Sequence, residues 1–441
     1  MSTVRVLGRL DQNLAWDGDR LYEDADIQVG SAPPYELRGA AAAVRRGPGS
    51  SWRILRDPLG LNKLFWARAD DGAIDIAARP WTLLQAGHRF EEILAIPRGC
   101  VLDVIAGEPP AAPDSIVPAG WFSADGPTLD VDKAAREISS NLERYLAAVA
   151  AAHPTAPVFV CLSGGLDSSG IAALTRKHFP AAVAVSFDLD QPGGQASQDR
   201  VVARRLAHDL DLPLLEVTVT HDQLFGYLDT VLVEGIDWRD FNVHAALVNA
   251  ALADGIDGAL PARDPATPVL VLTGDLANEL LVDYHQERYK GVTYYELPRL
   301  PAVTLRASLV RGLDSCHRET GVFAAWGLSV VQPYAVAVDA YLTLDGHFLG
   351  REERKQQLCR EIFGDLVPGY VYSRPKVRAQ AGSPELGGGV LAACVDRGYD
   401  AAWLRHRFAQ LHDVADTRTL DRFIRAGRYR TAVPSLSGEV N

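Results

Sequence analysis

The sequence is poor in the features that mark a secreted, zinc-centred or nucleic-acid-binding protein. Cysteine is scarce: Cys100, Cys161, Cys316, Cys359 and Cys394 are the five in 441 residues, scattered and without a CxxC pair. That excludes a disulfide framework and points to reduced thiols and a cytoplasmic location. The histidines are scattered too, and without HExxH a zinc site is not expected. Positive charge is in deficit, 44 Lys and Arg against 56 Asp and Glu, for a net charge of -12. A chain so charged is not expected to take nucleic acid or a membrane surface as its partner. No stretch approaches the ~20 apolar residues that span a bilayer, and Met1 to Arg20 is too polar for a signal peptide. Internal repeats and long low-complexity tracts are also missing. What is present is ordinary globular composition, 47% apolar, at a length that suits two or three domains.

Up to about residue 118 the chain reads as short strands and turns. Arg53-Ile-Leu-Arg56, Leu64-Phe-Trp-Ala67 and Ile74-Asp-Ile-Ala77 have strand composition with Gly and Asp punctuation. Pro109-Pro-Ala-Ala-Pro113 and Pro118-Ala-Gly120 mark a linker, dividing the chain into residues 1–118 and 119–441. Val131 to about Ala151 carries Ala and Leu at helical spacing. Apolar strands then alternate with helices: the run that opens at Val158, then Ala182–Phe187, Pro213–Val219 and Pro268–Gly274. That alternation predicts a doubly wound, parallel α/β sheet, with ligands beyond the carboxyl ends of its strands. From Pro298 the chain reads as mostly helical, and Pro434 to Asn441 as loose.

The first of those strands empties into Ser163-Gly-Gly-Leu-Asp-Ser168. Two glycines let the backbone turn tightly and approach an anion, and the helix that follows offers unpaired N–H groups and a positive dipole end. Ser163, Gly164, Gly165, Ser168 and Ser169 are therefore candidate phosphate contacts, with Asp167 a candidate magnesium ligand or helix cap. No Gly-Lys-Ser/Thr follows, so this is not a Walker A loop. It resembles the pyrophosphate (PP) loop of enzymes that split ATP between its α and β phosphates. Phe187 ends the second strand; the strip Val185-Ser186-Phe187 is where such an enzyme would read adenine along the backbone, although Phe187 also suits a plain core position.

Four segments together resemble class B asparagine synthetases, and more closely still β-lactam synthetase and carbapenam synthetase. They are Arg56-Asp-Pro-Leu-Gly-Leu-Asn-Lys-Leu-Phe-Trp-Ala67 with Ile76 to Leu84; the Ser163 loop; Leu272-Thr-Gly-Asp-Leu-Ala-Asn-Glu-Leu280, similar to Ser-Gly-Glu-Gly-Ala-Asp-Glu-Leu; and Lys355 to Arg360 followed by Arg374-Pro-Lys-Val-Arg-Ala-Gln-Ala-Gly-Ser383. Their order and rough spacing match over residues ~35–390. The first half departs from the family pattern: position 2 is Ser where the glutaminases expose cysteine, and Asp57-Pro-Leu-Gly60 falls early. The resemblance thus implies a shortened, degenerate N-terminal-nucleophile-like β-rich domain before an ATP-pyrophosphatase domain.

The resemblance also implies roles. ATP and magnesium would bind at Ser163–Ser169, with Gly274 and Lys355 near the phosphates. Asp167 would hold the metal. A second family aspartate is Asn278 here, so either Asn278 still coordinates or Asp275 or Glu279 takes over; Glu279 also suits a core position or an arginine partner. Asp275 matches the residue near the attacking amine and could accept its proton, or simply cap the next helix. Glu319 lies in the stretch that carries the dyad glutamate of β-lactam synthetase; by its surroundings in sequence it reads as an exposed surface residue. Lys376 would stabilise charge on the α-phosphate and the oxyanion. The run Tyr284 to Tyr295, with His285, Arg288, Tyr289, Lys290 and Tyr294, would shape the acyl pocket or be a surface loop.

The implied activity is an AMP-forming amide ligase: a carboxylate is adenylated, then an amine not drawn from glutamine displaces AMP. Specialised metabolism is the expected setting, with a small-molecule or peptide acid and amine as substrates; homodimerisation is left open. A lasso-peptide-type macrocyclase shares the chemistry. A non-catalytic nucleotide-binding partner protein is the reading from another class, suggested by Asn278 and the shortened first domain.

Overall fold

The computed structural model describes residues 4–29, 36–47, 51–105, 112–118, 121, 130–190, 197–260, 267–374, 389–425 and 427–431. Ser2, Lys376, Gly382, Ser383 and the terminal segment from Pro434 therefore lie outside the described residues.

Five strands form one parallel sheet, in the spatial order Leu214–Val219, Val183–Leu189, Val158–Cys161, Leu270–Leu272, Ser329–Val331. Each strand alternates sides. Val158 and Val160 feed one core and Phe159 the other; Leu270 and Leu272 oppose Val271 in the same way. Helices cover both faces, Val131–Ala152, Leu166–His178 and Glu352–Phe363 on one and Asp240–Ala259 on the other. A sheet buried on both sides explains why its strands read as unbroken apolar runs. The parallel α/β expectation is borne out, with one correction. Ser329–Val331 is a fifth strand inside a segment read as helical; three residues are too few to carry a period.

The strand order reverses between Val158–Cys161 and Leu270–Leu272. At such a switch point the two following loops diverge and leave a crevice. The loops here are Ser163–Ser168 and Thr273–Asp275, so the topology itself chooses where a ligand can sit.

Residues before about 118 build shorter sheets. Val4–Val6, Ile74–Ala77, Phe65–Arg68 and Leu94–Ala95 form one; Asp114–Ser115, Cys100–Ile105, Ser51–Arg56 and Ala42–Arg46 form another. They close on a core of Val44, Ile54, Trp66, Ile76, Leu102 and Val104. The three strands read from sequence in this part are all present. Among the described residues no disulfide forms, and no helix is long and apolar enough to cross a membrane.

Buried charge ties the β-rich part to the segment Leu313–Glu319. The Arg56 side chain is fully buried and pairs with Asp314 at 2.5 Å while donating to the carbonyls of Ile96, Asn62 and Gly60. Lys63 Nζ donates to the Leu313 carbonyl at 3.0 Å; burial, with Arg56 nearby, brings its ammonium pKa down to about 8. Arg79 pairs with Asp11, and Asp11 in turn meets His317 Nε2 at 3.0 Å. The Asp57-Pro-Leu-Gly60 turn therefore works as a brace. Asp57 accepts from the Leu61 and Asn62 N–H groups, so the turn presents its carbonyls to Arg56 and Lys63.

Truncating Arg56 leaves the Asp314 carboxylate buried without its charge partner. Arg56→Ala is expected to cost about 3–5 kcal/mol in urea unfolding, and adding Asp314→Asn should recover part of that loss. A cost below about 1 kcal/mol, the value of a surface pair, would contradict the brace.

Candidate active site

The Ser163 loop is shaped by its own hydrogen bonds. Ser168 Oγ lies 3.0 Å from Ser163 Oγ, and Ser163 Oγ accepts from the Gly165 N–H at 3.3 Å. Gly164 has φ +73°, and a Cβ there would meet Val202 at 2.6 Å. Glycine is thus required for both conformation and space. On the far side, a Cβ on Gly274 would lie 2.8 Å from the Ser168 nitrogen. The two loops touch backbone to backbone, as the sheet topology demands.

A cavity of about 250 Å³ opens above them. Ser163, Gly164, Gly165, Asp167, Ser168, Val185, Ser186, Phe187, Gly274, Asp275, Asn278 and Lys355 all line it. The structure thereby brings together most of the residues singled out from sequence. Three are placed otherwise. Ser169 is fully buried and its hydroxyl donates to the Gly165 carbonyl at 2.7 Å, an i−4 bond inside the helix rather than a phosphate contact. Glu279 is not with Asp167: it accepts from the Tyr284 hydroxyl and lies 3.6 Å from Arg318. Glu319 is 8% exposed, not a surface residue, and pairs with Arg318 behind the cavity wall.

Lys355 is the centre of the phosphate side. Its Nζ donates to Asp167 Oδ2 at 2.6 Å, Asp283 Oδ2 at 2.6 Å and Asn278 Oδ1 at 3.0 Å. Burial would strip its proton, but Asp167 and Asp283 more than reverse this and hold the ammonium charged. Asp167 Oδ1 is buried and has no protein partner. That orphan oxygen, with the neutral oxygen of Asn278 close by, suits magnesium, which takes one or two protein oxygens and fills its shell with phosphates and water. Among the described residues no cluster of three or more His, Cys, Asp or Glu is arranged for a metal, so the phosphates would have to supply the remaining ligands.

The other side is organised by Arg318, which reading the sequence missed. It carries no motif signature, and its value comes only from folding. It pairs with Glu319, lies 3.6 Å from Glu279 and 4.0 Å from Asp275, donates to Asn242 Oδ1 at 3.2 Å and stacks over Phe241. Asp283, which clasps Lys355 on the cavity wall, was also missed. Burial, then Glu319, pushes the Asp275 carboxyl up to about 7, against Arg318 and Thr273. The carboxyl keeps 32% of its surface open to the cleft, whose water tempers the rise without changing its direction. Asp275 does not cap the following helix: the cap position is Leu276, held at φ +82° where the related segment has glycine. The Tyr284–Tyr295 run is a small hairpin, Glu287–Tyr289 against Val292–Tyr294, with Tyr284 on the cavity wall.

Residues 143–315 match the asparagine synthase family model. The chain is 24% identical over 300 residues to the carboxyethyl-arginine beta-lactam-synthase of Streptomyces clavuligerus, covering 66% of this chain and 52% of that protein. It is 23% identical over 368 residues to the glutamine-hydrolyzing asparagine synthetase B of Escherichia coli (strain K12), covering 77% and 60%. The chain thus matches between half and three-fifths of the length of these relatives. The NMN synthetase structure from Francisella tularensis overlaps 63% of this chain and 93% of its own at 15% identity and a TM-score of 0.32, too loose a likeness to bear on function. These matches bear out the resemblance read from the four segments; they lend no support to a glutaminase relic.

Because Asp275 holds its proton more tightly folded than unfolded, it favours the folded state fully below about pH 4 and ceases to as pH rises through about 7. Asp275→Asn removes that dependence. The stability of the variant relative to the parent should rise between about pH 5 and about pH 8, read as urea midpoints. A constant difference would contradict the raised carboxyl.

Proposed function

We propose that this chain, which carries an asparagine synthase domain, is an ATP-dependent ligase that adenylates a substrate carboxylate and transfers the acyl group to an amine not taken from glutamine. The observation that carries this reading is the pairing, across one cavity, of a glycine loop built for an anion with a carboxylate raised to near neutrality. The first suits a triphosphate and the second suits an amine that must lose a proton.

In this reading the Gly164–Ser168 backbone and Lys355 bind the phosphates, and Val185, Ser186 and Phe187 flank adenine. Asp167, with Asn278, would hold magnesium, which when bound neutralises phosphate charge and eases pyrophosphate departure. The substrate carboxylate attacks the α-phosphorus, giving an acyl-adenylate and pyrophosphate. Asp275 then takes a proton from the ammonium form of the second substrate, so that its lone pair can attack the acyl carbon and expel AMP. Arg318 and Glu319 act through Asp275. Arg318 lowers and Glu319 raises its affinity for the proton, which balances it near the pH at which it works. Lys376, outside the described residues, keeps its role of stabilising the α-phosphate and oxyanion as part of the proposal. Specialised metabolism is the proposed setting, and a macrocyclase of the same chemistry would differ in the acid and amine it accepts. Asn278 and the shortened first domain are the footholds of the non-catalytic alternative, and the same assay separates the two.

Acid-dependent exchange of labelled pyrophosphate into ATP, screened over carboxylic acids, is the direct test. Exchange is expected with one class of acid and should fall about 100-fold or more in Asp167→Ala. Release of ADP in place of AMP, or ATP binding with no exchange for any acid, would refute the ligase reading. Asp275→Asn should spare exchange but slow amide formation by about 10²–10⁴-fold. Equal loss of both would remove the base role. Efficient glutamine turnover would overturn the statement about the amine.

A further inference from the structure

We propose that Arg374 is a phosphate-binding residue of this cleft and that Asp199 is its resting partner, displaced when a phosphate arrives. The proposal rests on the ATP reading above. Neither residue belongs to the motif segments as phosphate contacts; both line the cavity.

The geometry comes first. Arg374 Nη1 donates to the Ser163 carbonyl at 3.3 Å, and Nη2 pairs with Asp199 Oδ1. A Cβ on Gly164 would stand 3.2 Å from Nη1. The guanidinium therefore lies directly on the glycine turn, the place where a phosphate would have to lie. Both side chains are nearly buried, Arg374 at 13% and Asp199 at 11% exposed. In that setting a carboxylate and a phosphate are alternative partners for the same planar fork.

The charge balance favours exchange. Among the described residues, the carboxylates on the cavity wall are Asp167, Asp199, Asp275, Asp283 and Glu352, and the cations are Arg318, Lys355 and Arg374. A polyanion entering the cleft meets more acidic than basic side chains among the described residues. Lys355 is held by three side chains and Arg318 by an acidic cluster of its own. Among the described residues Arg374 is held by one carboxylate and the Ser163 carbonyl, and burial works against that carboxylate's charge while Arg374 sustains it. Moving Arg374 to a phosphate costs the fewest bonds and brings the cation to where Gly164 leaves room. Asp199 then has to turn to water or take up a proton.

The test uses the full chain and titration calorimetry with magnesium pyrophosphate and, separately, ATP. Asp199→Asn removes the competitor and keeps the shape, so pyrophosphate should bind about 3- to 10-fold tighter. Arg374→Gln should bind about 10-fold or more weakly, with Arg374→Lys between the two. The double variant should match Arg374→Gln. An ion pair that merely holds the loop in shape would make Asp199→Asn weaker or leave it unchanged, and that result overturns the proposal. If Arg374→Gln fails to fold, the direction of the Asp199→Asn effect still decides. If the parent chain binds neither ATP nor pyrophosphate, the ATP reading itself fails, a different outcome from binding that Asp199→Asn does not improve.

Discussion

The arrangement depends on one close approach: the backbone at Gly274 pressed against the backbone at Asp167–Ser168. It fixes the width of the crevice at the sheet's switch point. Any side chain at position 274 would force the loops apart, and with them Asp167, Asn278 and Asp275, which ride on the two loops. The parallel sheet supplies the place, and the missing Cβ supplies the distance.

Within that gap, electrostatics divides the labour. On one side a charged lysine is clasped by acids, leaving one oxygen of Asp167 unsatisfied. On the other, a single arginine is shared by three carboxylates, more negative charge than it can balance, and the excess raises the affinity of Asp275 for a proton. A polyanion and a cation each find a complementary half. The carboxylates that crowd the wall are therefore not a contradiction of ATP binding; they keep the cations charged and in place until a better anion arrives.

Much of this was legible in the sequence because it depends on local pattern. The Ser163 loop, the four strands and the Thr273–Gly274 turn are each a run of residues whose chemistry is read in place, and all came to one cavity. What was not legible depends on which way a side chain points after folding. Ser168 and Ser169 both reach the Gly165 carbonyl, but Ser168 lines the cavity while Ser169, one position further round the helix, is fully buried. Glu279 was placed by analogy near the metal, and Arg318 draws it away; Glu319 read as exposed, yet it is buried on Arg318, near enough to act on Asp275. Arg374 and Asp199 are separated by 175 positions, and no spacing rule links them. The Leu276 backbone, strained where related sequences have glycine, likewise announces itself only as a positive φ.

The brace between the β-rich part and Leu313–Glu319 has a kinetic corollary. Lys63 reaches a carbonyl 250 residues downstream, Arg38 an aspartate 301 away, and Arg430 returns to a carbonyl 339 positions earlier. Contacts so distant along the chain are entropically slow to close. The β-rich part can be clamped to the segment that carries Arg318 only after the chain has been made through His317, some 250 residues beyond Lys63. The early strands must wait, half covered, for a partner synthesised some 250 residues later, and in that interval they are exposed to misassociation.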